Sequence, residues 1–162
     1  MKKNTKIKAY LKPAPNTLIS CRGKNGENNA LAVGYCCNCS YDPPMVMVGI
    51  VPSRFSHKLI KESGCFVVNL PGKNQKEMFD YLGSHSGANE NKLEKIGAKL
   101  SEAEKVNAPI LDDCPVNIEC TIVGSMMTGS HEMFAGKVEC IHADQEFVKE
   151  DGSIDFSKID LL

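Results

Sequence analysis

Met45-Val-Met-Val-Gly-Ile-Val51 and Cys65-Phe-Val-Val-Asn-Leu70 are two apolar runs, and they flank the segment Pro52-Ser-Arg-Phe-Ser-His-Lys-Leu-Ile-Lys-Glu-Ser-Gly64. Both runs are rich in β-branched residues, which favour strands. The segment between them is polar at its start and places its apolar residues at helical spacing. The stretch therefore predicts a strand, a short helix and a second strand, and the rest of the chain is organised around it.

The predicted helix begins with cations, although the positive end of the helix macrodipole disfavours them there. Arg54, His57 and Lys58 crowd this end, together with the hydroxyls of Ser53 and Ser56. Free backbone N–H groups, hydroxyls and cations together form an anion site that a phosphate group fits. The alternative is a solvated basic first turn in which one of the two serines is an ordinary N-cap. The sequence leaves both interpretations open.

Length and composition predict one domain spanning residues 1–162. A chain of 162 residues can bury a core without disulfides or metals, and its net charge of −1 favours neither nucleic acid nor an anionic membrane as a partner. The basic N-terminal residues lack the apolar core of a signal peptide, and no later run has the length of a membrane span. We therefore expect a cytoplasmic protein whose eight Cys residues are reduced thiols.

The hydrophobic pattern predicts about six strands. They cover residues 17–21, 30–37, 45–51, 65–70, 116–123 and 132–142, with a Gly- and Asn-rich hairpin loop at 22–29. Residues 38–44 should break the second strand, because Pro43 and Pro44 cannot donate to a ladder. Residues 116–123 alternate as in a half-buried strand, with Asn117 and Glu119 on the polar face.

The remaining segments predict short helical pieces. Residues 75–82 and 90–96 have amphipathic helical spacing, and residues 101–104 predict a turn. Strands with hairpin-like links and few short helices indicate a mainly β protein, a small barrel with helical insertions.

The Cys, His and Asn residues that could act in catalysis or binding predict a function less clearly. The Cys36-Cys-Asn-Cys39 cluster could hold a metal or act in redox chemistry, but it lacks the second pair of ligands that a closed zinc site needs, so core-filling thiols are the simpler interpretation and no metal site is predicted. His131, in a predicted loop, is either functional or an ordinary surface residue. Asn69 interrupts an apolar strand, and its amide binds either neighbouring backbone or a ligand.

Read in order, several short motifs resemble the flavin reductase-like family of FMN-binding split barrels, the group that includes flavoredoxin. The resemblance extends from Pro15 to about Ile141. It rests on these segments: Asn29 to Tyr35, Ser40-Tyr-Asp-Pro-Pro44, Arg54-Phe-Ser-His-Lys58, Phe66-Val-Val-Asn-Leu-Pro71, Ser86-Gly87 with Lys92, Ala108-Pro109, Glu119-Cys120, and Gly129-Ser-His131 with Phe134-Ala-Gly-Lys-Val138.

The resemblance implies a six-stranded antiparallel split β-barrel that forms a homodimer and binds one FMN per subunit. It assigns the phosphate to Arg54, Ser56, His57 and Lys58. It assigns the flavin ring to Gly34, Tyr35, Cys36 and Asn38, with Asn69, Ser86 and Lys92 at its border. His131 matches the position of a His that lies near the nicotinamide in reductase members.

The resemblance leaves three functions open. The first is an NAD(P)H-dependent flavin oxidoreductase, the second is an FMN-binding electron carrier that exchanges electrons with a redox protein such as ferredoxin, and the third is a flavin-binding or thiol-binding module without turnover. The chain departs from the family pattern at Ala88, Asn89, Asn91 and Ser130, and these changes favour the last two functions.

Overall fold

The computed structural model describes residues 1–9 and 11–162, so Tyr10 lies outside the described residues. The strands are β1 (Thr17–Arg22), β2 (Asn28–Val33), β3 (Cys36–Tyr41), β4 (Pro44–Ile50), β5 (Cys65–Leu70), β6 (Leu100–Glu102), β7 (Pro109–Leu111), β8 (Val116–Thr128) and β9 (His131–Ala143). The helices are α1 (Phe55–Ser63), α2 (Lys76–Ser84) and α3 (Lys92–Lys95), with 3-10 turns at Lys73–Gln75, Gln145–Phe147 and Phe156–Lys158. The prediction of a mainly β protein with short helices is confirmed.

Seven strands form one antiparallel sheet in the order β2-β1-β5-β8-β9-β4-β3, and β6 pairs with β7 in a separate two-stranded sheet. The predicted strand–helix–strand unit is present as β4, α1 and β5. Strands β4 and β5 are not neighbours, because β8 and β9 lie between them in the sheet. Helix α1 therefore connects two strands across the width of the long β8–β9 hairpin.

The main core lies between α1 and the inner face of the sheet. Leu59 and Ile60 of α1 are fully buried there against Ile19, Phe66 and Phe134. Helix α1 ends at Gly64, whose φ of 71° is the left-handed cap conformation that glycine adopts without strain. Burial of this apolar face fixes α1 on the sheet and leaves its first residues at the edge of the core.

Strand β1 is buried on both faces because a second core lies on its other side. Leu18 of β1 packs there with Leu82 of α2 and Leu93 of α3. The β6–β7 segment covers part of the same side of the sheet, where Ile110 packs against Val67 of β5. Among the helices of the described residues, none combines the length and apolar character of a membrane span.

The predicted second strand, residues 30–37, was wrong in its extent. Strand β2 ends at Val33, and β3 begins at Cys36. The carbonyl of Tyr35 accepts a hydrogen bond from the Gly49 backbone N–H (2.7 Å), so the chain turns there to pair β3 with β4. Residues 38–41, predicted to break the strand, belong to β3, and the sheet has seven strands rather than about six.

Two other local predictions were also wrong. Residues 101–104 were predicted as a turn, yet Leu100–Glu102 is a strand because it pairs with β7. Asn117 and Glu119 were placed on a polar, half-exposed face of β8, and both are buried. The segment that joins β6 to β7 covers Glu119 and donates backbone hydrogen bonds to its carboxylate.

Gly136 in β9 is closely packed against the core. A Cβ atom at this position would lie 2.5 Å from Phe66 Cζ and 2.8 Å from Cys120 Cβ. We expect Gly136→Ala to lower the free energy of unfolding by about 1–3 kcal/mol, because the core must shift to admit the methyl group. Urea denaturation measures this change. Gly124→Ala is the control, since no neighbouring atom lies within 4 Å of its Cβ, and equal effects of the two substitutions would contradict the packing described here.

Candidate functional site

A cleft lies along the N-terminal end of α1 and consists of two connected spaces. The first, which we call the inner cavity, has a volume of about 70 Å³. It is lined by Asn29, Leu31, Ala32, Arg54, Phe55, Ser56, Leu82, Gly83, His85, Ser86, Gly87 and Lys92. The second, the outer groove, has a volume of about 190 Å³. It is lined by Leu31, Ala32, Val33, Gly34, Tyr35, Gly49, Ile50, Val51, Arg54 and His131.

Arg54 lies where the two spaces meet. It is the N-cap residue of α1, and the first turn of α1 contains no acidic residue. Within the described part of the chain, the guanidinium of Arg54 has no hydrogen-bond or salt-bridge partner. The positive end of the α1 macrodipole and an exposed guanidinium therefore face the same space, which favours an anion there.

Ser56 presents a buried hydroxyl to the inner cavity. The side-chain amide of Asn29 donates a hydrogen bond to Ser56 Oγ (2.6 Å), and both residues are buried. The amide thereby fixes the position of the hydroxyl, whose own proton is available for donation to a second acceptor. Asn29 belongs to β2, so the edge strand of the sheet and the start of α1 build this wall together.

Lys92 brings a buried cation to the same cavity. Only 2% of the residue is exposed, and Nζ donates a hydrogen bond to the carbonyl of Leu82 (2.9 Å). Burial lowers the pKa of Lys92 to about 8, because desolvation disfavours the charged form. An ammonium can donate three hydrogen bonds, so a bound anion would supply partners that compensate for its burial.

The loop after α2 closes the inner cavity from the other side. Gly87 approaches Asn29 and Phe55 so closely that a Cβ atom would lie 2.5 Å from Asn29 Oδ1 and 2.7 Å from Phe55 Cδ1. Any side chain at position 87 would overlap these two residues, which explains why the Ser86-Gly87 motif needs a glycine. Phe55 and His85 also line the cavity, and sequence reasoning missed both.

The four residues predicted for the phosphate do not all face this cleft. Arg54 and Ser56 line it, but the imidazole of His57 points beneath α1 and lies 2.6 Å from Glu132 Oε2. Lys58 is on the outer face of α1, 3.9 Å from Glu62 Oε1. The difference arises because successive helical residues point in different directions, and a helix can turn only one side toward a cavity.

The residues predicted for the flavin ring are also divided. Gly34 and Tyr35 line the outer groove, where the Tyr35 ring packs against that of His131 with centroids 4.4 Å apart. Cys36 and Asn38 belong to β3 and are absent from the lining of either space. His131 is the first residue of β9 rather than part of a loop, and Nδ1 lies 2.8 Å from Ser130 Oγ.

Asn69 lies in the core and has no part in the lining of the cleft. Its amide nitrogen donates to the carbonyl of Leu18 (3.0 Å) and to Ser20 Oγ (2.9 Å). Its amide oxygen accepts from the Leu111 backbone N–H (3.1 Å) and from Asn117 Nδ2 (2.8 Å). These bonds connect β1, β5, β7 and β8, so the geometry favours the structural interpretation of Asn69 over ligand binding.

Comparison with known proteins gives a consistent set of similarities. A family model described as "Flavin reductase like domain" matches residues 10–155. The structure of flavoredoxin from Desulfovibrio vulgaris (Miyazaki F) superposes with a TM-score of 0.91 at 26% identity, over 98% of this chain and 85% of that one. The structure of flavoredoxin from Methanosarcina acetivorans gives a TM-score of 0.89 at 28% identity, over 99% and 86%. The predicted split-barrel class is therefore confirmed.

Several curated relatives carry the names of enzymes, and one of them illustrates the degree of similarity. The NADH:riboflavin 5'-phosphate oxidoreductase of Streptomyces pristinaespiralis is 24% identical over 123 residues, which cover 76% of this chain and 67% of the relative.

Glu132 stabilises the start of α1 through its bond to His57. Hydrogen bonds from Ser125 and His57 lower the pKa of Glu132 to about 2 from an ordinary value of 4.5, and Lys61 adds to the shift. As the pH falls, the carboxylate of Glu132 takes up a proton near pH 4.5 in the unfolded state but only near pH 2 in the folded state. The stabilisation is therefore present above pH 4.5 and is lost as the pH falls toward 2. We expect Glu132→Gln to lower the free energy of unfolding by about 1.5–3 kcal/mol at neutral pH.

Urea denaturation between neutral pH and pH 3 would measure this difference, which should shrink on acidification. Glu62→Gln is the matched control, because its pair with Lys58 is long and solvent-screened and should contribute less than about 0.5 kcal/mol. A constant difference between wild type and Glu132→Gln across this range would contradict the assignment.

Proposed function

Because the chain belongs to the flavin reductase-like family, as its resemblance predicts, we propose that it binds FMN in the cleft at the start of α1 and transfers electrons through that cofactor. One observation carries the proposal: a small cavity with two cations and a buried hydroxyl joins an open groove at Arg54. FMN has a phosphate group that would match the small cationic cavity and a flat ring system that would match the open groove. The names of the relatives, flavoredoxin and NADH:riboflavin 5'-phosphate oxidoreductase, support a redox role.

The phosphate group would bind in the inner cavity. Arg54 and Lys92 offer charge, Ser56 and Ser86 offer hydroxyl donors, and the first turn of α1 offers backbone N–H groups. Charge-assisted hydrogen bonds of this kind are stronger than neutral ones. The close approach of Gly87 to Asn29 and Phe55 leaves the cavity small, which suits a compact anion better than a larger group.

The isoalloxazine ring would occupy the outer groove. Gly34 has no side chain, and no neighbouring atom lies within 4 Å of the position a Cβ would take, so its backbone can approach a flat ring closely. Tyr35 and His131 border the groove on the other side. When bound, FMN supplies the redox chemistry, and the residues of this chain hold the cofactor and exclude water.

The proposal retains seven of the residues that the resemblance predicts. They are Gly34, Tyr35, Arg54, Ser56, Ser86 and Lys92 for the cofactor and His131 for the face of the ring. The proposal does not use the other five, Cys36, Asn38, His57, Lys58 and Asn69, which line neither space; their predicted roles rest on the resemblance alone.

For the electron donor we propose NADH or NADPH, with His131 at the exposed side of the ring. Its imidazole lies at the open groove, where it could donate a hydrogen bond to a second ligand. The contact between Tyr35 and His131 supports a second candidate, an electron carrier without nicotinamide turnover. The two rings already pack together there, so a nicotinamide would have to separate them.

A homodimer is part of the proposal. Val123, Met126 and Met127 expose more than half of their surface on the outer end of β8. Exposed apolar side chains of this size can contribute to protein–protein contacts. The cytoplasmic location and the single domain over residues 1–162 stay predictions from the sequence.

Arg54→Gln tests the proposed position of the phosphate. We expect it to weaken FMN binding by about 1.5–3 kcal/mol, roughly 10- to 150-fold, because one charged hydrogen bond is lost. Isothermal titration calorimetry with the flavin-free protein measures the affinity. Lys58→Gln is the matched control, since this cation lies on the outer face of the same helix. A larger loss for Lys58→Gln than for Arg54→Gln would place the phosphate on that outer face and contradict the proposal.

Anaerobic mixing separates the two candidate functions. We expect NADH or NADPH to bleach the flavin absorbance of the FMN-loaded protein, and His131→Gln to lower kcat/KM by about five- to tenfold, the effect of one lost hydrogen bond. No reduction by either nicotinamide, but rapid exchange with reduced ferredoxin, would support the carrier instead. Absence of both reactions would contradict a redox function.

A further inference from the structure

Three side chains with metal-ligating atoms meet at the end of the β8–β9 hairpin that is remote from His131. One donor atom each of Glu104, Cys140 and His142 lies within 4.8 Å of the other two. In the part of the chain that the structure describes, no other group of three His, Cys, Asp or Glu side chains meets this spacing, and the Cys36–Cys37–Cys39 cluster does not. The candidate metal-binding residues therefore lie outside the Cys36–Cys37–Cys39 cluster.

The fold brings the three residues together in a simple way. Cys140 and His142 are two residues apart on β9, so their side chains project from the same face of the sheet. Glu119 of β8 pairs directly with Cys140 and projects from that face as well. Glu104 comes from the segment between β6 and β7, which lies over the same face.

Glu119 holds this arrangement in place. Its carboxylate is fully buried and accepts hydrogen bonds from the backbone N–H groups of Glu104 (2.8 Å) and Lys105 (2.7 Å). The same carboxylate lies 2.5 Å from His142 Nε2. One buried side chain thus fixes both the ring of His142 and the backbone that carries Glu104. Carboxylates that orient metal ligands act in this way.

We propose that Glu104, Cys140 and His142 bind a divalent transition-metal ion of the Zn²⁺ class, with water as the fourth ligand. Zn²⁺ accepts sulfur, imidazole nitrogen and carboxylate oxygen in tetrahedral geometry, whereas Mg²⁺ and Ca²⁺ select oxygen ligands. The thiol of Cys140 releases its proton to solvent as the metal–sulfur bond forms.

The observed spacing suits this geometry. Cys140 Sγ lies 3.9 Å from Glu104 Oε2. Two ligands of a tetrahedral zinc ion with a sulfur and an oxygen donor lie about 3.5 Å apart, as bond lengths of about 2.3 and 2.0 Å require. The other carboxylate oxygen, Oε1, lies 2.9 Å from Lys105 Nζ. This ion pair engages Oε1 and leaves Oε2 beside the thiol.

Titration of the chelator-treated protein with Zn²⁺ tests the proposal by calorimetry. We expect one saturable site per chain in the wild type and a loss of affinity of at least tenfold in Cys140→Ser and in His142→Gln. Cys37→Ser is the matched control, because it removes an exposed thiol outside the cluster and should leave the affinity unchanged. Alkylation followed by mass spectrometry gives a local readout, in which Zn²⁺ should protect Cys140 and leave Cys37 reactive.

Several results would overturn the proposal. They are the absence of saturable Zn²⁺ binding, equal affinity of wild type and both cluster variants, and loss of binding in Cys37→Ser. FMN content measured on the same samples should not change between wild type and Cys140→Ser, so this test is independent of the proposed cofactor site.

Discussion

The fit of α1 across the β8–β9 hairpin is the constraint on which the rest of the structure depends. Strands β4 and β5 lie on opposite sides of that hairpin in the sheet, and α1 is the connection between them. Its apolar face is fully buried through Leu59 and Ile60, and His57 anchors its first turn to Glu132 of β9. With the helix fixed in this way, its positive end opens on the cleft that Arg54 borders.

The position of α1 also determines which residues line the cleft. The loop after α2 approaches the start of α1 at Gly87, and α3 brings the buried ammonium of Lys92 to the same point. Neither element can move without disturbing the second core, where Leu82 and Leu93 pack against β1. The proposed anion site therefore follows from where the two cores place their helices.

Much of the fold could be predicted from the sequence, because strong local patterns decided it. The run of residues 45–70 gave β4, α1 and β5 with bounds that differ by only a few residues. The break between β2 and β3 was missed because residues 30–37 are apolar apart from Gly34, and the turn at Gly34 and Tyr35 depends on the bond from Gly49 to Tyr35. Glu119 was assigned to the polar face because the alternation of residues 116–123 does not reveal that the segment at Glu104 and Lys105 folds over it.

The candidate site was predictable in part for the same reason. Arg54, Ser56, Ser86 and Lys92 belong to motifs whose order along the chain is informative, and they meet at one cavity. The sequence could not reveal that His57 faces Glu132, because their contact joins residues 75 positions apart. The proximity of Glu104 to Cys140 and His142 could not be predicted, because Glu104 lies 36 positions before Cys140 in the sequence.

The central claim is that this protein is a flavoprotein, and the absorbance spectrum of the protein as purified tests it most directly. We expect the bands of oxidised flavin, with heat treatment releasing a chromophore that chromatography and mass spectrometry identify as FMN. A colourless protein that also fails to bind added FMN would show that it is not a flavoprotein and leave a split barrel whose cleft serves another ligand.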